Sequence, residues 1–196
     1  PDALSRITGQ FDDSTLPGAR VLNAGLIDQR GELAVPTGKL VGTIAEMQEA
    51  VNAYADRGYR QVKLYSSLSR ELLAAGIAAA RARGMRMSGH VPAGMTMREV
   101  VLAGYDEVQH ANFWMLNFMS PDINAKTNSP VRFSAVYEHA REIDLQSAAV
   151  RDFIALLKEH NTVVDPTLVT FENMFRGWRG EQAVFLTGGS YAAGAA

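Results

Sequence analysis

Residues 58–65 read Gly-Tyr-Arg-Gln-Val-Lys-Leu-Tyr, and residues 85–90 read Met-Arg-Met-Ser-Gly-His. Between them Ser69 opens a helix-period run that continues through Ala82, and Gly84 supplies its stop. Gln61 to Tyr65 and Met85 to Gly89 are short apolar segments of strand character. Strand, capped helix and strand at this spacing describe a βαβ unit, whose right-handed crossover makes its two strands parallel.

The same grammar extends in both directions. Upstream, Thr43 with Glu46 forms a capping box, Ile44, Met47, Val51 and Tyr54 follow at helical spacing, and Gly58 ends the helix. Downstream, Thr96 with Glu99 repeats the box, Gly104 stops that helix, and Glu107-Val108-Gln109 is a third strand. Ser147 caps a run through Val150, Phe153, Ile154, Leu156 and Leu157 that ends near His160, and Thr162-Val163-Val164 follows as a strand before Asp165-Pro166. At the other end, Arg20-Val21-Leu22-Asn23-Ala24 reads as a strand after Pro17-Gly18. Residues 111–143 contain Asn117, Ser120, Pro121, Asp122, Asn128 and Pro130 and read as irregular, too long for a plain connection.

Repeated βαβ units leave a doubly wound sheet or a β/α barrel. Neither G-x-G-x-x-G after a strand nor G-x-x-x-x-G-K-S/T occurs, so a nucleotide-binding sheet has no support. Three strands instead end in residues capable of chemistry, Lys63, His90 and His110, and a barrel places its active site at the C-terminal ends of its strands. The expected fold class is α/β, a (β/α)8 TIM barrel present as a partial barrel, with residues 1–196 as one domain.

Composition narrows the function. The chain has 196 residues, a net charge of -2, 47% hydrophobic and 20% charged residues, which is the profile of a folded globular domain. No apolar run approaches the ~18 residues of a membrane-spanning helix, and no basic block marks a nucleic-acid surface. The absence of cysteine excludes thiolate nucleophiles, disulfides and cysteine zinc sites. It leaves the compartment open between cytoplasm and periplasm or exterior, since secreted proteins also lack cysteine at times. The chain starts at Pro1 and closes in a small-residue string from Gly188 to Ala196.

A lysine inside the apolar strand Val62-Lys63-Leu64 has two readings. It reaches solvent at the strand end, or burial neutralises it so that it reacts with carbon dioxide and the carbamate bridges two cations. His90 in Gly89-His90-Val91-Pro92 and His110 in Gln109-His110-Ala111-Asn112 each sit where a strand gives way to a loop. Imidazole is a common neutral ligand for zinc, and such a position fixes the ring while leaving it open to substrate. One such histidine alone reads as structural; the pair after a strand-end lysine is a stronger signal.

These segments, together with Ala103 to His110 and Val163-Val164-Asp165-Pro166-Thr167-Leu168, resemble the amidohydrolase superfamily of metal-dependent hydrolases, in the branch of imidazolonepropionase-like proteins and zinc carboxypeptidases or prolidases. The resemblance runs in order over roughly residues 20 to 175. It implies a barrel whose fourth strand carries a carboxylated lysine and whose fifth and sixth carry histidines. Here those are Lys63, His90 and His110, as metal ligands and catalytic residues of a centre of two zinc or other divalent cations. It implies attack by a metal-bridged hydroxide on an amide or peptide bond of a small substrate, such as a dipeptide or N-acyl amino acid.

The family pattern also includes a His-x-His pair on the first strand and an aspartate ending the eighth. The four histidines, His90, His110, His139 and His160, contain no such pair, and Asp165 reads as the start of a turn before proline. With a barrel taking about 250 residues, the chain reads as the central part of one. Tyr65, two residues after Lys63 and on the same side of the strand, and Asn112, just past His110, are candidates for substrate contact. His139 and His160 read as surface residues or as residues supporting the site from behind, and Trp114, Met115, Phe118 and Trp178 as core packing ahead of pocket lining. Two rival readings keep the fold: a catalytically silent partial barrel serving as a binding or structural module, and an esterase. Exposed strand edges predict homo-oligomers or other association.

Overall fold

The computed structural model describes residues 3–19 and 21–181. It contains, in chain order, α1 (Ala3–Asp12), β1 (Ala24–Gln29), β2 (Lys39–Val41), α2 (Ile44–Asp56), β3 (Gln61–Leu64), α3 (Arg70–Ala82), β4 (Arg86–Gly89), α4 (Met97–Ala103), β5 (Glu107–Gln109), α5 (Ala111–Leu116), α6 (Pro121–Asn124), α7 (Val131–His139), α8 (Ala148–Glu159), β6 (Val163–Asp165) and α9 (Leu168–Trp178). A 3-10 turn over Ala140–Glu142 follows α7.

The helix starts are those the capping residues dictate. At α2 and α4, Thr43 and Thr96 each accept from the backbone N–H three residues on, and Glu46 and Glu99 reach back to the cap N–H. Ser69 and Ser147 cap α3 and α8 through their hydroxyls. Gly104 ends α4 in the left-handed conformation at φ 115°.

The strands form a six-stranded parallel sheet ordered β2-β1-β3-β4-β5-β6. β2 flanks β1 on one side and β3 on the other; from β3 onward each strand is added beside its predecessor in the same direction, so right-handed crossovers lay the helices on one face. Ile27, Val62, Leu64, Met87 and Val108 are fully buried on that face in one cluster with Met47, Val51, Leu73, Ile77 and Val100. Gly76 lets α3 approach closely: a Cβ there would lie 3.3 Å from a Leu64 methyl.

The alternate residues look the other way. Leu26, Lys63, Ser88, Glu107 and Val163 are register partners in turn across β1, β3, β4, β5 and β6, and so share the face opposite the helices. The result is a parallel six-stranded sheet covered by helices on one face. Closure into eight strands is not shown, since β2 and β6 are the sheet's edges among the described residues.

Two expectations are corrected. The first strand is Ala24–Gln29 rather than residues 20–24: Val21 and Leu22 are exposed, Arg20 lies outside the described residues, and Ile27 and Asp28 are the fully buried positions. Residues 111–143 are mostly helical, because Ser120 caps α6 with Pro121 at its first position, and Pro130 leads directly into α7. No helix among the described residues is long and apolar enough to cross a membrane.

Candidate functional site

Three consecutive strand ends build the site. After β3, Tyr65 donates its N–H to the Ile27 carbonyl at 3.1 Å, which continues the β1–β3 ladder past Leu64. At the end of β4, Gly89 has φ 142°, and a Cβ on it would stand 1.9 Å from the Leu64 carbonyl oxygen. Only glycine fits that crossing. His90 follows immediately, its N–H bonded to the Leu64 oxygen at 2.9 Å and its own carbonyl accepting from the Tyr105 hydroxyl at 3.2 Å. After β5, His110 takes φ 79° and donates its N–H to the Asp165 oxygen of β6 at 2.6 Å.

These backbones bring the two imidazoles together. His90 Nε2 and His110 Nε2 lie 2.8 Å apart. At the far side of each ring a hydroxyl oxygen meets Nδ1: Ser66 Oγ at 2.8 Å from His90 and Thr167 Oγ1 at 2.6 Å from His110. Tyr65 stacks on His90 with ring centroids 3.8 Å apart, and Phe113 lies against both imidazoles.

Both rings are held neutral. Burial, then His110, Lys63 and Arg132, push His90 down to about 2. Burial and the Lys63 charge push His110 down to about 4, Asp165 opposing and Arg132 assisting. Burial also lowers Lys63, partly offset by the carboxylates of Asp165 and Glu107.

A neutral imidazole carries one N–H. At 2.8 Å one Nε2–H donates to the other Nε2, and because the hydroxyl oxygen at each Nδ1 can accept, a cation displacing that shared proton would meet both rings with Nδ1–H and both Nε2 lone pairs facing it. That is the state a metal ion requires, and ligand histidines are held in this way by an acceptor on the second nitrogen. The pair therefore fits a divalent cation as two ligands. Among the described residues no group of three or more His, Cys, Asp or Glu side chains gathers around such a point.

A cavity of about 110 Å3 opens beside the rings, bordered by Tyr65, His90, His110, Asn112, Arg132 and Phe171 among others. Asn112 is 2% exposed; its Nδ2 donates to the Arg132 carbonyl at 3.4 Å, and its Oδ1 has no hydrogen-bond partner among the described residues. Two larger grooves, of about 540 and 520 Å3, touch neither His90 nor His110.

The structure thus gathers His90, His110, Tyr65 and Asn112 around one cavity, with Lys63 on the adjoining strand near enough for its charge to act on both imidazoles. Asn112 stands in the first turn of α5, where the sequence reads as loop. Asp165 accepts from Thr167 N–H at 3.3 Å, a turn role before proline. His139 pairs with Glu142 at the exposed end of α7, and His160 caps α8, both away from the site. Ser66, Thr167 and Arg132 escaped the sequence reading. The pair of serines after β3 carried no signal for Ser66, and Arg132 lies in the stretch read as irregular.

No protein-family profile and no curated protein matches the chain. Solved structures do, and those it resembles are amidohydrolase-family structures. The bottromycin amidohydrolase is similar at a TM-score of 0.51 and 20% identity, over 70% of this chain and 29% of that one. The A. niger ochratoxinase is similar at 0.48 and 16%, over 83% and 49%, and a Xaa-Pro dipeptidase with bound methionine at 0.47 and 16%, over 81% and 50%. The chain therefore spans about half or less of the length of these structures. At this identity the likeness to the bottromycin amidohydrolase establishes shared fold.

Proposed function

We propose that the chain carries part of the active site of a metal-dependent amidohydrolase that cleaves an amide or peptide bond in a small substrate, a dipeptide or an N-acyl amino acid. The observation that carries this reading is the convergence of the His90 and His110 Nε2 atoms, 2.8 Å apart, on rings kept neutral by burial. Supporting it are the parallel sheet that presents both rings from the adjacent ends of β4 and β5 and the family of the similar solved structures.

His90, His110 and Lys63, the last as its carbamate, would serve as ligands in a centre expected to hold two zinc ions. A bound divalent cation lowers the pKa of water and polarises a carbonyl oxygen. The remaining work falls to the chain itself. Ser66 and Thr167 hold the tilt of the two rings, and their hydroxyl oxygens can accept from Nδ1–H when Nε2 is a ligand. Tyr65 and Phe113 wall them from bulk water, and Asn112 offers an unpaired acceptor to a substrate N–H.

A second reading, a catalytically silent module that associates with another chain or copy, draws on the open edges β2 and β6 and on exposed Leu168 and Val169 beyond β6. Assay of the protein, loaded with zinc and bicarbonate, against dipeptides, N-acyl amino acids and simple esters separates the readings. The hydrolase reading expects amide turnover that is lost in His110→Asn. Turnover of esters alone favours an esterase, and bound metal without turnover favours the silent module.

A further inference from the structure

Arg132, in the first turn of α7, borders the histidine cavity and is half-buried. Its guanidinium has no carboxylate partner among the described residues: it approaches Ser66 Oγ at 3.4 Å and lies over the Phe133 ring at 4.7 Å. The face of the guanidinium is thus occupied and much of its donor edge is free. Beside it, Asn112 Oδ1 is buried and unpartnered in a side chain bordering the same cavity. The rest of the wall is largely apolar, with Phe113, Phe133, Phe171 and Met174.

A cation without counter-ion, one free acceptor and an aromatic wall define a ligand: an anion, an N–H donor close to it, and an apolar group. We infer that Arg132 binds the carboxylate of an N-acyl amino acid or dipeptide, with Asn112 accepting the adjacent amide N–H and the phenylalanines seating an apolar side chain. This rests on the hydrolase reading above and deepens it, because it makes the free carboxylate a determinant of which amides are accepted. Arginine suits the task, since its planar fork takes both carboxylate oxygens and such charge-assisted bonds are about twice as strong as neutral ones. Arg132 acts on affinity and selection, so its loss falls on KM more than on kcat.

The test is calorimetric titration of the full chain, with a chelator present so that no cation competes for the carboxylate. The probes are N-acetyl-L-leucine and its neutral counterpart N-acetyl-L-leucinamide. The acid is expected to bind about tenfold or more tightly than the amide. Arg132→Met brings the ratio near one, and Arg132→Lys leaves it in between; circular dichroism checks that both variants fold. A ratio near one in the unaltered chain, no binding of either probe, or a ratio that survives Arg132→Met overturns the assignment. Metal content and amide turnover read the hydrolase proposal separately: acid preference without metal sinks that proposal alone, and metal and turnover without acid preference sink this one alone.

Discussion

His110 and Thr167, two non-glycine residues at positive φ (79° and 47°), meet across the ends of β5 and β6 through Nδ1 and Oγ1 at 2.6 Å. Positive φ in such residues costs of order 1 to 3 kcal/mol and survives where the surroundings enforce it. Here the contact aims the His110 ring at His90. Thr167→Val keeps the shape and removes the acceptor. Zinc affinity measured by competition with a chromophoric chelator should fall about 10- to 100-fold, with the far-ultraviolet circular dichroism unchanged.

The backbone at His110 offers a separate readout. Replacing His110 by Ala or Gly removes the ring in both cases, but only glycine relieves the left-handed strain. In urea melts, His110→Gly should be more stable than His110→Ala by about 1 kcal/mol. Equal stabilities would show that the chain relaxes out of the positive φ once the imidazole is gone.

Gly89 sets where His90 stands. A methyl group there collides with the Leu64 carbonyl at a position whose φ of 142° disfavours any side chain. Gly89→Ala should destabilise the fold by about 3 kcal/mol or more and misplace the imidazole. Thermal melting and zinc content check both effects.

Acid sensitivity follows from the neutral rings. Folded His90 and His110 titrate at about 2 and about 4, while unfolded histidine titrates near 6.5. Between those values the unfolded chain binds more protons, so stability rises with pH. In the metal-free protein the contribution of both rings is complete above about pH 6.5 and is lost as pH falls toward 4, and then toward 2 for His90. Urea melts across that window should show this slope, and the double variant His90→Asn, His110→Asn should flatten it.

The legible part of this molecule was its punctuation. Thr43, Ser69, Thr96 and Ser147 announce α2, α3, α4 and α8 because a cap is a local interaction, satisfied within three residues. The positions of His90 and His110 just past β4 and β5 were legible for the same reason, whereas Lys63, read as a strand end, lies inside β3. What failed depends on distant partners. Asp28 is fully buried in β1, its two oxygens accepting from Gln29 N, Val35 N and both Ser67 N and Oγ, and nothing nearby in sequence marks a carboxylate as buried. Pro121 and Pro130 read as loop breakers, yet proline also suits a helix start. Arg132 matters only because residues far along the chain leave it facing a cavity without a counter-ion.

His90 and His110 converge, on this reading, to hold a divalent cation. The most direct test is the zinc content, by inductively coupled plasma mass spectrometry, of the protein purified with zinc and bicarbonate and of its His90→Ala and His110→Ala variants. Stoichiometric metal is expected in the unaltered protein, and its loss in each variant. Metal content unchanged by either substitution would contradict it.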